Sequence, residues 1–240
     1  MFFEVIMTDY EVSDSTLKIL KNFSAISASV RLRTGTTQRT VSAAKSMMAI
    51  AEFDTAWPME TPIYQLPELM SNLTSYDRPT LTFEEKQFVI RGYDSPSHVE
   101  YPYSDPSVVI VPPDKNFDLS DPVAVFTLPA KAVAEIKKFS QVNNLPTVTI
   151  ELDGGPLTSI LVKPLDEKNP ATRSYSYPVH ADPKRVDRLM DGVQQSVKFK
   201  RDHFDLLLDG EYVVTVGAEW SYVYFKHQSM PVSYFIVLKS

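Results

Sequence analysis

The chain has 240 residues, 43% of them hydrophobic and 22% charged, with a formal net charge of −6 and no cysteine. That length accommodates two domains of ordinary size, each able to bury a core. Lack of cysteine excludes disulfides, a thiol nucleophile and thiolate metal sites; no apolar run is long enough to span a membrane, and the negative balance disfavours indiscriminate adhesion to nucleic acid.

In chain order, the apolar residues Phe2-Phe3-Glu4-Val5-Ile6 lack a basic leader and run into Asp9 and Glu11, which reads as a first strand. A helix is expected over 14–23, capped by Asp14 or Ser15, with Leu17, Leu20 and Phe23 inward and Ser15, Lys18 and Asn22 outward. Strands are expected at 26–33, 37–43, 46–54 and 62–66, then a short helix over 67–73 with Pro67 at its start. A hairpin at 80–83 and 87–92 follows, and strands at 99–103 and 108–111 close the first half. The stretch 112–122 is proline-rich, polar and without period, as a linker is.

The second half repeats the order. It offers a strand at 123–128 and a helix over 129–141, with Ala132, Val133, Ile136 and Phe139 inward and Lys131, Ala134 and Lys138 outward. Strands are expected at 147–152, 157–163 and 173–179, a charged segment with one or two helical turns at 182–192, a strand at 196–200 and a helix over 201–208 stopped by Gly210. Strands at 212–216, 221–225 and 233–238 end the chain. The repeat is visible in the residues themselves: Leu20-Lys21-Asn22-Phe23-Ser24 recurs as Ile136-Lys137-Lys138-Phe139-Ser140 about half the chain later. That spacing predicts two similar α+β domains, 1–111 and 123–240, joined by 112–122, and excludes a solenoid of short units.

Catalytic motifs are missing. None of the 7 glycines forms a phosphate-cradling or dinucleotide fingerprint, and no nucleophile elbow occurs. His98, His180, His203 and His227 are scattered, with no pair at ligand spacing on one element. Asp202, Asp205 and Asp209 cluster, as do Asp182, Asp187 and Asp191, but neither group sits in an apolar frame that would raise a carboxyl pKa for acid–base work. Such carboxylates serve as solvated faces and caps. The expectation is a protein without enzymatic activity, metal or cofactor.

Charge is distributed unevenly. Up to Asp118 there are 10 Lys+Arg against 16 Asp+Glu, while the remainder holds 14 of each. Outward lysines are ordinarily a matter of solubility. Here Lys18 and Lys21 on one helix are answered by Lys131, Lys137 and Lys138 on its repeat, and Lys200 and Arg201 extend the pattern. Recurrence within an acidic protein favours a functional cationic face.

Three segments resemble a known family. They are Ser15 through Ile26; Glu52-Phe53-Asp54 leading to Ile63-Tyr64-Gln65-Leu66; and Tyr103-Ser104-Asp105-Pro106-Ser107-Val108-Val109. Together with Val111-Pro112-Pro113 they are similar, in order and spacing, to the DNA polymerase sliding clamps, most closely those of T-even-type phages. The opening strand looks more like that of the eukaryotic clamp, PCNA, and 182–195 looks like an insertion.

The resemblance implies a homotrimeric ring of six domains, with helices lining the hole and antiparallel sheets outside. It implies a processivity factor that encircles duplex DNA without reading sequence and tethers a replicative polymerase, placed on DNA by a separate ATP-dependent loader in the cytoplasm of the host cell. DNA-facing residues would be Lys18, Lys21, Lys131, Lys137, Lys138, Lys200 and Arg201. A pocket for partner peptides would involve Val111, Pro112, Phe117, Leu119, Val237 and Leu238. Subunits would pair through Val108, Val109 and Ile110 against Tyr175 and Tyr177. A phage structural or assembly protein of duplicated β-rich domains is the alternative; it has no reason to repeat the lysine faces. A hydrolase using Asp202 or Asp205 would need acid–base geometry that the sequence does not display.

Overall fold

Short alternating runs between proline and glycine punctuation favour antiparallel strands, and most of the chain takes that form in a computed structural model. The structure describes residues 9–114, 118–120, 122–153, 159–169, 175–180, 195–217 and 221–238. The expected first strand, the glycine pair 154–155, Phe117 and nearly all of 182–195 lie outside them. The chain divides into two compact units, Met1–Pro113 and Asp114–Ser240.

The first unit runs β1 (Asp9–Glu11), α1 (Asp14–Ile26), β2 (Val30–Leu32), β3 (Gly35–Val41), β4 (Met47–Trp57), β5 (Thr61–Ile63), α2 (Leu66–Thr74), β6 (Thr80–Phe83), β7 (Gln87–Arg91) and β8 (His98–Pro102). One antiparallel sheet has the order β1-β6-β7-β8, with Tyr10 opposite Leu81 and Phe88 opposite Tyr101. Strands β3 and β4 pair antiparallel, as do β2 and β5. Trp57 is fully buried; its ring meets Tyr10 and Phe83 edge-on at 4.9 and 5.3 Å, and its Nε1 donates to Thr61 Oγ1 at 2.9 Å. Buried polar tips thus find partners, as a low-dielectric interior requires.

The second unit runs β9 (Ala124–Leu128), α3 (Ala130–Val142), β10 (Thr147–Asp153), β11 (Ser159–Leu165), β12 (Tyr177–His180), β13 (Gln195–Lys200), α4 (Arg201–Asp205), β14 (Tyr212–Val216), β15 (Tyr222–His227) and β16 (Val232–Val237). One antiparallel sheet has the order β12-β11-β10-β13. In the other, β15 lies between β14 and β16, and β9 pairs with the far side of β14. Phe204, Phe225, Tyr212 and Tyr234 fill the core beneath α4.

The helices that carry the lysines start and stop for local reasons. Ser13, not Asp14 or Ser15, caps α1, its Oγ accepting from the Thr16 N–H at 3.1 Å. The helix then outruns the expected 14–23 and ends at Ser27, whose N–H reaches Phe23 O at 2.9 Å. The expected strand 26–33 therefore shrinks to β2, because Ile26 is buried as the last helical residue. Pro129 precedes α3, suited to a position that needs no N–H donor. Helix α4 spans five residues rather than the eight read from 201–208.

The expected strand 108–111 is absent. Pro106–Val108 is a 3-10 turn capped by Asp105, whose carboxylate accepts from the Ser107 N–H at 2.8 Å. Pro112 and Pro113 follow and have no N–H to extend a ladder. Val109 is buried, and the Ile110 N–H goes to Ser29 Oγ at 3.3 Å. Among the described residues the β1-β6-β7-β8 sheet has β1 at one end and β8 at the other.

Candidate nucleic-acid interface

Helical periodicity leaves α1 one solvent face: Asp14, Lys18, Lys21 and Ala25. Thr16, Ile19, Leu20, Asn22, Phe23 and Ile26 are buried. Asn22, expected outward, thus points in, and Leu17, expected inward, is half-exposed.

Helix α3 does not present the matching positions. By the repeat, Lys18, Lys21 and Asn22 correspond to Ala134, Lys137 and Lys138. Yet α3 buries Ala132, Val133, Ile136 and Ser140, and exposes Lys131, Ala134, Lys138, Gln141 and Val142. The buried Asn22 is answered by an exposed Lys138, and the buried Ile26 by a Val142 that is 75% exposed. The second helix is rolled about its axis relative to the first. Lys138 reaches solvent by that roll, and Lys131 stands beside it, 3.8 Å from Glu135 one turn on.

The same roll carries Lys137 against the protein. Its Nζ donates to Leu207 O at 2.6 Å and to Asp209 Oδ1 at 2.8 Å, and its side chain is 14% exposed. Arg201 is also held inward, 3.4 Å from Asp205 and 3.7 Å from Asp202, with Ser140 O at 3.5 Å. Lys200 is exposed at the start of α4. His203 is half-buried, and burial, with Lys200 adding repulsion, holds its imidazole below the usual histidine range and hence neutral near pH 7. The exposed cations of the predicted set are therefore Lys18, Lys21, Lys131, Lys138 and Lys200; Lys137 and Arg201 are engaged with carboxylates. The sequence placed Lys137 at a helix margin but carried no sign of its partner, which is 72 residues away in the chain.

The predicted peptide-pocket residues fall in both units. Val111 is half-buried and Pro112 buried in the first unit; Leu119 is 36% exposed, Val237 exposed and Leu238 half-buried in the second. Phe117 lies outside the described residues. The segment bearing Leu119 is pinned by the Tyr222 hydroxyl, which donates to Asp118 O, and by Asp118 accepting from the Ser120 N–H at 2.9 Å. Leu238 N–H donates to Ser221 O at 3.0 Å, holding the last described residues to the sheet.

Of the predicted subunit-contact residues, Val108 is exposed, Val109 buried and Ile110 half-buried. Tyr175 stacks on Phe139 at 4.8 Å and donates to Glu135 at 2.8 Å; burial first, then that carboxylate, push its phenol pKa up. Tyr177 opens β12, an edge strand. Beside another edge strand, β8, lies a cleft of about 370 Å³ lined by Tyr64, Gln65, Glu68, Asn72, Tyr101 and Tyr103 among others. Burial pushes the Tyr101 and Tyr103 phenols up to about 12, so both stay protonated donors, to Gln65 O and Glu84 O at 3.1 and 3.0 Å. The sequence reading missed this cleft, since only the fold brings α2 beside β8.

Among the described residues no group of His, Asp and Glu is arranged to hold a metal ion, and no helix is long and apolar enough to cross a membrane.

No family profile matches the chain. The sliding clamp of Vibrio phage KVP40 is 27% identical over 167 residues, which cover 69% of this chain and 75% of that one. The fold is that of solved clamps. PCNA from Entamoeba histolytica superposes with a TM-score of 0.67 at 10% identity, covering 97% of this chain and 98% of its own. The PCNA of A. fulgidus, solved with the C-terminal region of FEN-1, gives 0.66 at 16% identity, covering 98% and 99%. The DNA polymerase sliding clamp of Caulobacter crescentus gives 0.67 at 12% identity, covering all of this chain and 67% of its own. The chain thus has the fold of solved PCNA clamps and is similar in sequence to a phage sliding clamp.

Proposed function

We propose that three copies of this chain form a ring around duplex DNA, with α1 and α3 facing the phosphates, and that the ring tethers a replicative polymerase for processive synthesis. The observation that carries this reading is the pair of related helices, each with exposed lysines, in a protein whose net charge is −6. Lysines on long flexible stems attract phosphate without fixed base contacts, so a ring can slide and needs no sequence readout. Acidic surfaces elsewhere disfavour DNA adhesion outside the hole. Retention is then topological, and direct affinity can remain weak.

Ring closure needs unlike surfaces on the two units, since a head-to-tail contact is heterologous. With 108–111 unavailable as a strand, β8 is an edge that the first unit offers and β12, next to Tyr175 and Phe139, an edge that the second offers. Pairing of two open edges would satisfy their free backbone groups. Partner peptides are assigned to the surface of Leu119, Val237 and Leu238; the A. fulgidus clamp bound to a FEN-1 tail supports peptide docking as a clamp property. Loading by a separate ATP-dependent machine in the host cytoplasm completes the proposal, and the chain itself performs no catalysis.

Replacing Lys18 and Lys138 with Glu tests the reading. In a ring of three, both helices change sign in every subunit, and polymerase processivity on primed circular DNA should collapse. Folding stability should move by no more than ~0.5 kcal/mol, as for exposed sites generally. Lys86→Glu, in the turn between β6 and β7, is the matched control. Helix variants that support synthesis as well as the control would refute the DNA-facing assignment.

A further inference from the structure

Lys21 and Lys137 occupy equivalent positions of the repeat, yet only Lys21 is exposed. What holds Lys137 is the connection after α4, and that connection is itself firmly fixed. Tyr212 Oη donates to Leu208 O, Leu208 N–H donates to Tyr234 Oη at 3.3 Å, and His227 Nε2 lies 3.2 Å from Asp209 O. Tyr212, Tyr234 and His227 are all buried. Asp209 is thus presented by a rigid loop, its carboxylate 87% exposed and directed at the margin of α3.

We infer that Asp209 withholds Lys137 from DNA, so that each subunit keeps one cation of its phosphate-facing surface in reserve. The inference rests on the proposal that α3 faces DNA. A lysine whose ammonium is hydrogen-bonded to a carbonyl and neutralised by a carboxylate cannot follow passing phosphates as an exposed lysine does. Asp209 acts through Lys137 and is a positioning residue. Fewer condensed counterions are displaced, binding is less salt-sensitive, and drag on a sliding ring is lower.

Two measurements on Asp209→Ala test this. The first needs no DNA: amine acetylation followed by mass spectrometry should modify Lys137 more slowly than Lys138 in the unaltered protein, and at a similar rate in the variant. The second is anisotropy of a labelled 30-base-pair duplex across a salt series. Freeing Lys137 should steepen the log–log salt slope by about 0.9 per subunit, so the affinity ratio between 50 and 200 mM salt grows about 3.5-fold for each freed lysine. Adding Lys137→Gln should restore the original slope. Equal acetylation of Lys137 and Lys138 in the unaltered protein would overturn the inference. So would an unchanged slope in Asp209→Ala, or a steeper slope that survives Lys137→Gln, which would trace the gain to the lost carboxylate charge alone. If Lys18→Glu with Lys138→Glu leaves duplex binding untouched, the DNA-facing reading fails and this inference falls with it; if that pair weakens binding while Asp209→Ala does nothing, only this inference fails.

Discussion

Gly210 has a φ of +155°, and a Cβ built on it would fall 2.3 Å from Nε2 of His227. The sequence marked Gly210 as a helix stop, which is the ordinary role of glycine after a last turn. Its actual constraint is the close approach of a buried imidazole whose Nδ1 accepts from the N–H groups of Ser229 and Met230, both at 3.1 Å. No reading of local pattern could join Gly210 to His227, because the contact depends on β14 pairing with β15. Gly210→Ala should destabilise the fold by about 2–4 kcal/mol, combining backbone strain with overpacking. Urea unfolding checks this, and an unchanged midpoint would contradict the geometry around His227. Lys137 teaches a similar lesson: its charge and helical position were legible, its carboxylate partner was not.

At the scale of elements, periodicity located both long helices and most strands, and the hairpin strand 80–83 came out as read. Two kinds of error have physical causes. The residues 108–111 are β-branched and apolar, but flanking prolines remove the donors that a ladder needs. The inner face of α1 was misassigned at Leu17 and Asn22 because α1 packs on α2 and β4, a neighbourhood set by tertiary structure. That packing buries Phe23 fully, whereas its repeat partner Phe139 is half-buried beside Tyr175. Duplication therefore preserved the order of elements while letting the two lysine faces diverge. For the segment after the first unit, the pinned backbone at Asp118 gives Leu119 a fixed setting. Leu119→Ala should weaken binding of a polymerase C-terminal peptide by at least ~2 kcal/mol if it anchors the peptide. Calorimetry showing unchanged affinity would return Leu119 to an ordinary linker residue.

The whole molecule combines two units of related order, cationic helix faces within an acidic chain, and strands at sheet edges in each unit, β8 in the first and β12 in the second among them. The repeat made the two-unit organisation readable, and order and spacing over the length of the chain made the clamp resemblance readable. Edge strands were harder to assign, because an edge is a property of sheet order rather than of any one segment. Encirclement predicts behaviour that ordinary affinity does not. The most direct measurement is retention of the loaded protein on a nicked circular duplex, followed by cutting that duplex once at a salt concentration that screens phosphate attraction. A ring held by topology stays on the closed circle and is lost when the circle is opened, by sliding off the ends. Equal retention on circular and linear DNA, or equal loss from both, would contradict a ring held on DNA by topology.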